Sequence, residues 1–443
     1  MDSFCQAEQT RHIGSPSQQN GGEPSFSSFT MYNHRHRFMR TPRKNTYGSI
    51  LLVLLLIVCT SATQAQKNSV KKDIAQAQAF IKSKKNYDKA EQLMMNLLKD
   101  SINVGNLRIR SVLVEAIQGQ YEQSNEKMYL HQRVDTTALF LLTMRMFMQT
   151  FALDSVDALP DEKGRVRIKH RSKNAAYLDK YRKNLFSGGA YFIKKQRFDD
   201  AYTFMDTYLE CSRQPLFSAY SYPLDPVAAY WALYSAYKTG STHRIMKYAE
   251  LAQRDTTHLE YTLQYLADTY HQIEDTAQYV ATLHEGFLRY KLSPYFFTHL
   301  IDHYTACRMP NSALDIADIA LAEDPHNDLF LYAKSNILLD MGQYDACIAI
   351  CDTIIACNDT IAEAYYNAGA AWINKAFAAE REDISNAKKR QRTTAAYRAA
   401  LPYMERYRFL KPEEKDKWAA ALYNIYLNLN MGKEFQEIDR MLR

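Results

Sequence analysis

Glycine and proline are scarce in this chain, 14 and 12 among 443 residues. Hairpin-rich all-β folds need turn residues at short intervals, so the shortage argues against them and for helices. Catalytic motifs are lacking as well. No GxSxG, P-loop, HExxH, GxGxxG or CxxC occurs. A nucleophile elbow, a phosphate-cradling loop, a zinc-protease helix and a dithiol pair therefore have no visible carrier, and no enzyme activity or cofactor is expected. A dominant charge is missing too. The formal net charge is +6, but residues 1–65 hold six Lys/Arg against three Asp/Glu, leaving 49 against 46 for the rest. A body so nearly balanced has no overall pull toward nucleic acid, and none is expected as a partner. The seven cysteines (Cys5, Cys59, Cys211, Cys307, Cys347, Cys351 and Cys357) show no even framework of spacings that would mark a disulfide-stapled domain.

Tyrosine is what the chain has in excess: 32 residues, roughly twice an average share. Residues 1–47 are rich in Ser, Gln, Gly and His without apolar periodicity, and read as a disordered leader. Ile50 to Cys59 is uncharged, follows Arg40, Arg43 and Lys44, and precedes small residues at Thr63 and Ala65. That order describes a signal peptide over 48–65, cleaved after Ala65. The apolar core is short against the roughly 17–25 residues of a membrane span. Signals begin close to the initiator, so Met39 is an alternative start. Left uncleaved, the basic flank would keep the N-terminus inside and tether the body to the membrane. A lipid anchor at Cys59 is disfavoured by the bulky Val58 before it. Both main readings export the body.

Beyond the leader, apolar residues fall at helical spacing. Ile74, Ala77 and Ile81 are followed by Ala90, Met94 and Leu97, with Asn86-Tyr87-Asp88 as a break between antiparallel helices. Leu107–Gln120 and Thr136–Phe151 read as a longer, degenerate pair, so residues 66–153 form an N-terminal helical region. Asp154 to Lys173 carries Pro160, Gly164 and a basic run without helical period, and reads as an exposed loop. After Asn174 the pattern becomes regular. Phe297, Leu331 and Tyr365 stand 34 residues apart, as do Ile301, Ser335 and Gly369, and Tyr304, Leu338 and Trp372. A fixed period with a large residue, a small one and an aromatic is a repeat signature. The sixth unit departs from it. Its small residue should fall at 381, yet Ala400 stands in that relation to Pro412, so roughly 376–394 is an insertion that lengthens both helices into a projecting hairpin.

This pattern resembles the tetratricopeptide repeat (TPR), W-x2-L-G-x2-Y followed by Ala and then Pro. The best match is Phe297, Leu300, Tyr304, Ala313, Ala317, Ala320 and Pro325. With its leader, the chain is also similar to exported TPR proteins of Gram-negative envelopes. The resemblance implies an all-α fold, a right-handed superhelical solenoid of antiparallel helix pairs spanning 174–443, located in the periplasm or cell envelope. It further implies a concave groove lined by residues that do not pack between helices. Here these are Trp231 and Lys238; Gln264, Asp268 and His271; Tyr295 and Asp302; Tyr332 and Asn336; Glu363, Tyr366 and Asn374; Asp416, Tyr423 and Tyr426. Tyr237, Tyr270 and Tyr304 fall at core positions. Gly188-Gly189 falls where two helices cross closely. A protein or peptide is the implied partner, with a glycan on the tyrosines as the alternative, and an enzyme of unrecognised site as a second.

Three further features have bland readings. His299 and His303 share a helical face at metal-ligand spacing, but Leu300 stands where a zinc protease has Glu, and no third ligand is in view, so no metal is assigned. Cys347 and Cys351 fall at packing positions one turn apart and read as small core residues, with Cys357 a potential disulfide partner for one of them in an exported protein. The basic runs Lys163–Lys173 and Lys388–Arg392 read as solvated.

Overall fold

The computed structural model describes residues 68–161 and 163–442, so the leader and the signal segment assigned above lie outside the described residues. From Ser69 onward the chain is one compact unit. The described residues form an all-α, TPR-like solenoid of 19 α-helices, with no strand among them. Helix α1 covers 68–82. It pairs with α2 (Tyr87–Leu97), and α3 (Leu107–Tyr129) pairs with α4 (Thr136–Asp157). A short α5 (Arg171–Asp179) precedes seven further pairs. These are α6 (Arg182–Lys194) with α7 (Phe198–Glu210), α8 (Pro226–Lys238) with α9 (Thr242–Ala252), and α10 (Leu259–Gln272) with α11 (Thr276–Arg289). They continue with α12 (Pro294–Ala306) and α13 (Pro310–Glu323), and α14 (Asp328–Asp340) and α15 (Tyr344–Cys357). Last come α16 (Ala362–Arg381) and α17 (Asn386–Leu410), then α18 (Lys415–Asn428) and α19 (Gly432–Leu442).

Local chemistry sets these boundaries. Side chains of Asn106, Asp135, Asp225, Asp275 and Asn327 accept from backbone amides of the first turn and so cap α3, α4, α8, α11 and α14. Pro226, Pro294 and Pro310 open helices at the position where a missing N–H costs nothing. The turns within pairs repeat one device. A residue with φ near +60° follows the first helix: His131, Gln196, Gly240, Glu274, Arg308, Gly342 and Asn430. The next residue's amide then reaches back five residues, as in Arg197 to Phe192, Met309 to Tyr304 and Gln343 to Leu338, at 2.8–3.0 Å. This left-handed cap satisfies carbonyls that the helix end would leave bare.

The 34-residue pattern is the core. Phe297, Leu300, Tyr304, Ala313, Ala317 and Ala320 are buried together, as are Leu331, Leu338, Cys347 and Cys351 one repeat on. Gly188 and Gly189 sit at a close crossing. An added Cβ would lie 2.5 Å from the Phe204 ring at the first and 2.7 Å from Met205 at the second, both on α7. The lengthened pair is plain: α16 has 20 residues and α17 has 25, against 11–14 in the other pairs after Arg182. Ala376, Ala379, Thr393, Ala396 and Tyr397 are buried where the two long helices meet.

The 154–173 stretch differs from the expected loop. Helix α4 runs on to Asp157, α5 begins at Arg171, and only 159–169 is continuously exposed among its described residues. Two buried carboxylates hold it. Asp157 Oδ2 accepts from the Lys169 and His170 amides at 2.7 Å each, and Asp154 takes a two-pronged bond from Arg171 at 2.8 and 2.9 Å. A potential disulfide of Cys357 does not form: Cys347 and Cys351 are buried free thiols, and Cys357 is an exposed one. One described helix, α4, is long and apolar enough to cross a membrane; its Leu142, Met146 and Phe147 are buried in the core shared with α3 and α6.

Candidate functional site

The first helices of successive pairs line one face. On it α8 packs directly against α10, and α14 against α16. Between α10 and α12, and between α12 and α14, the face opens into two cavities. The first, about 430 Å³, is lined by Asp268, His271, Thr276, Tyr279, His299, Asp302, His303 and Ala306. The second, about 390 Å³, carries Thr298, Ile301, Asp302, Tyr332, Asn336 and Asp340 on its walls. Asp302 borders both, so the two cavities lie side by side along this face.

Repeat geometry explains the alignment. Asp268, Asp302 and Asn336 are 34 residues apart and occupy the same position on three successive helices. Asp268 is held by Tyr hydroxyls: Tyr237 on α8 donates to Oδ2 at 2.6 Å and Tyr295 on α12 to Oδ1 at 2.5 Å. Asn336 Oδ1 accepts from the buried Asn367 on α16, whose amide also reaches Ser335. The Asn336 amide nitrogen makes no hydrogen bond among the described residues. Asp302 and Asp340 are exposed and carry no hydrogen bond or ion pair to another described residue. Burial, and then the charges of Asp268 and Asp302, raise the pKa of the Tyr279 phenol. Behind the wall, burial and the nearby His303 push the His284 imidazole down from its usual value; its Nε2 meets the Tyr304 hydroxyl.

Five of the sequence-derived groove residues come together here: Asp268, His271, Asp302, Tyr332 and Asn336. Trp231, Gln264, Tyr295, Tyr366 and Tyr423 line neither cavity. Trp231 packs edge-on to Tyr230 and His258, and Gln264 gives its main-chain oxygen to Tyr295. The Tyr366 ring lies 5.2 Å from Tyr407 and Tyr423 lies 4.7 Å from Phe435. Tyr426 is buried, with its hydroxyl on Glu405, and is core. Tyr237 packs against the core, as its motif position asks, while its hydroxyl reaches Asp268.

Sequence reasoning missed His299, His303, Tyr279 and Asp340. Tyr279 comes from a second helix, α11, which the motif treats as backing. The two histidines carry the signal already noted, one face at four-residue spacing, and that face proves to be the groove. His299 Nδ1 lies 2.7 Å from the Tyr295 carbonyl oxygen. Among the described residues no three His, Cys, Asp or Glu side chains converge as a metal site.

Fold and site together define a helical-repeat protein with an open groove. No protein-family model matches the chain, and no curated protein sequence matches it. Solved structures that it is similar to are TPR proteins. The C-terminal part of a TPR repeat-containing protein from Cytophaga hutchinsonii aligns at TM-score 0.41 and 9% identity, over 57% of this chain and 92% of that one. A TPR repeats protein from Bacteroides fragilis aligns at TM-score 0.28 and 16% identity, over 59% and 98%. The Cut9–Hcn1 hetero-tetramer of the APC/C gives TM-score 0.29 and 11% identity, over 80% and 76%.

Proposed function

We propose that this protein is an exported, non-catalytic scaffold of the TPR type, which holds a segment of a partner protein in the α10–α14 groove within the envelope of a Gram-negative bacterium. The observation that carries the reading is the pair of adjacent cavities that share Asp302. An extended chain advances about 3.3 Å per residue and can run across successive helices, where a compact ligand would fill one cavity only. The walls supply what such a chain needs: apolar contact from Ile301, Leu329 and Ile337, and hydrogen-bonding groups from Thr298, Tyr332 and Asn336. A glycan is less well served, because Tyr295, Tyr366 and Tyr423 are already engaged with Asp268, Tyr407 and Phe435. Export rests on the charge and apolar order of residues 40–65.

Cross-linked capture from envelope fractions tests the groove, comparing wild type with Tyr332→Ala plus His271→Ala, one change per cavity. A partner lost only from the variant is expected; a variant that keeps every partner overturns the reading. N-terminal sequencing of the mature protein checks export, and a start before residue 60 would sink the cleavage after Ala65.

A further inference from the structure

We infer that the groove selects an extended peptide bearing Lys or Arg side chains. The inference rests on the peptide-binding reading above and adds to it the charge of the ligand. From Asp268 to Asp340 the two cavities present three carboxylates and three imidazoles, and no Lys or Arg lines either one. Elsewhere on the molecule carboxylates are paired in large numbers: Asp199 with Arg244, Asp206 with Lys247, Asp318 with Lys334, Asp345 with Lys375 and Asp359 with Arg406. Asp302 and Asp340 make no such ion pair, although the body as a whole is slightly basic and Arg308 lines a further cavity beside Asp340. A surface that holds acids in a concave, partly apolar setting and leaves them without an ion pair is complementary to a cationic ligand.

The setting also fits the rest of a cationic side chain. Ile301, Leu329 and Ile337 line the cavity whose mouth carries Asp302 and Asp340, so the methylenes of Lys or Arg would lie on apolar wall while the charged head reaches a carboxylate. The Tyr332 ring offers a face for a guanidinium. Asn336, its oxygen engaged by Asn367, has its amide nitrogen left to donate to a peptide carbonyl.

The test uses the full chain and fluorescence anisotropy with a labelled decapeptide carrying arginine at every third position among alanines. Matched peptides carry glutamine or glutamate at those positions. The arginine peptide is expected to bind at least about fivefold more tightly than the glutamine one, a margin in keeping with one or two half-exposed ion pairs. Asp302→Asn plus Asp340→Asn should weaken it by a similar factor. Asp88→Asn plus Asp315→Asn removes the same charge from the second helices of two pairs and should change it by less than about twofold. Circular dichroism melts of each variant show that the fold is kept. Equal affinity for the glutamine or glutamate peptide overturns the inference, and so do an unaffected groove variant and an equal loss in the control variant. Should the glutamine peptide bind and be lost on Tyr332→Ala plus His271→Ala, cationic selection falls while the peptide-binding reading stands. If no peptide binds, the inference falls, and the capture experiment alone then decides the reading beneath it.

Discussion

The Tyr295 hydroxyl donates to Asp268, a residue of the first cavity's lining, and joins α12 to α10. Tyr237 donates to the other oxygen of the same carboxylate from α8, so one acid ties three successive helix pairs. Burial, then the hydrogen bond to Asp268 and its charge, raise the pKa of both phenols. Hydrogen bonds to a charged group contribute about 1.5–3 kcal/mol, and half-exposure places these at the low end. Tyr295→Phe and Tyr237→Phe are each expected to cost about 1–1.5 kcal/mol, and the double variant more than their sum by at least about 0.5 kcal/mol, because Asp268 then loses its last protein donor. Urea unfolding of the four proteins measures the cycle. Strict additivity would show that Asp268 is served by water.

At the α6–α7 crossing, Gly188→Ala places a methyl 2.5 Å from the fully buried Phe204 ring, with Phe140 at 3.1 Å on another side. Overpacking of that kind costs about 1–3 kcal/mol, against a helix-propensity gain of about 1 kcal/mol. A lowered calorimetric midpoint is the expected result, and a raised one would mean that α7 can retreat freely.

The turn at Gln196 gives the opposite sign. Its φ of 56° is a conformation that costs an L-residue about 1–2 kcal/mol. Glycine relieves this while adding freedom to the unfolded chain, so Gln196→Gly should stabilise by about 0.5–1 kcal/mol. Thermal unfolding reads it directly, and any destabilisation would show that the Gln196 side chain contributes more than its backbone costs.

Asp157→Ala removes the acceptor that holds the Lys169 and His170 amides. Two charge-assisted bonds to a buried carboxylate are together worth about 3–6 kcal/mol. The loss is local, so trypsin should cut at Lys163, Arg165, Arg167 or Lys169 well before the rest of the solenoid is attacked. Mass spectrometry of timed digests locates the cuts, and a wild-type cleavage pattern would refute the anchor.

Alkaline titration reports on the buried tyrosines. Tyr237, Tyr407 and Tyr426 are each pushed up to about 12, by burial first and by neighbouring carboxylates second. The folded state therefore holds these protons more tightly than the unfolded chain, whose phenols titrate near 10. The associated stability is complete below pH 10 and is lost as pH rises from about 10 to 12. Absorbance should show one phenolate phase near the ordinary value and a second at higher pH, with the urea midpoint falling across the second. A single phase near 10 would contradict the burial.

The architecture was legible because its period is long and its core residues are few in kind. Phe297, Leu300 and Tyr304 pack as the motif asks, and Gly188-Gly189 marks a true crossing. The site was legible in part. Motif position told which residues leave the helix interface, and so found Asp268, Asp302 and Asn336. It could not tell which of them a neighbour would engage, and so counted Tyr295 and Tyr423 as open and Tyr426 as exposed. Its second blind spot was the other helix of each pair, which supplies Tyr279. Helix α5 escaped because its buried residues, Asn174, Ala175 and Leu178, are too few to show a period. The ends of α4 and α5 were hidden by the charged residues Asp154, Asp157 and Arg171, which look solvated in sequence and are paired in the fold.

The turn between α16 and α17 is the one within a described pair that has no residue of positive φ. Its neighbours on either side keep theirs, at Gly342 and Asn430, and Met404 of α17 still closes on Gly369 at the base of the pair. Growth at a hairpin tip therefore leaves the stacking of repeats untouched, since only the base of each pair meets the next. The chain can change size sideways, pair by pair, without changing the pitch of its groove, and length polymorphism among such proteins should gather at these tips and spare the α10–α14 face.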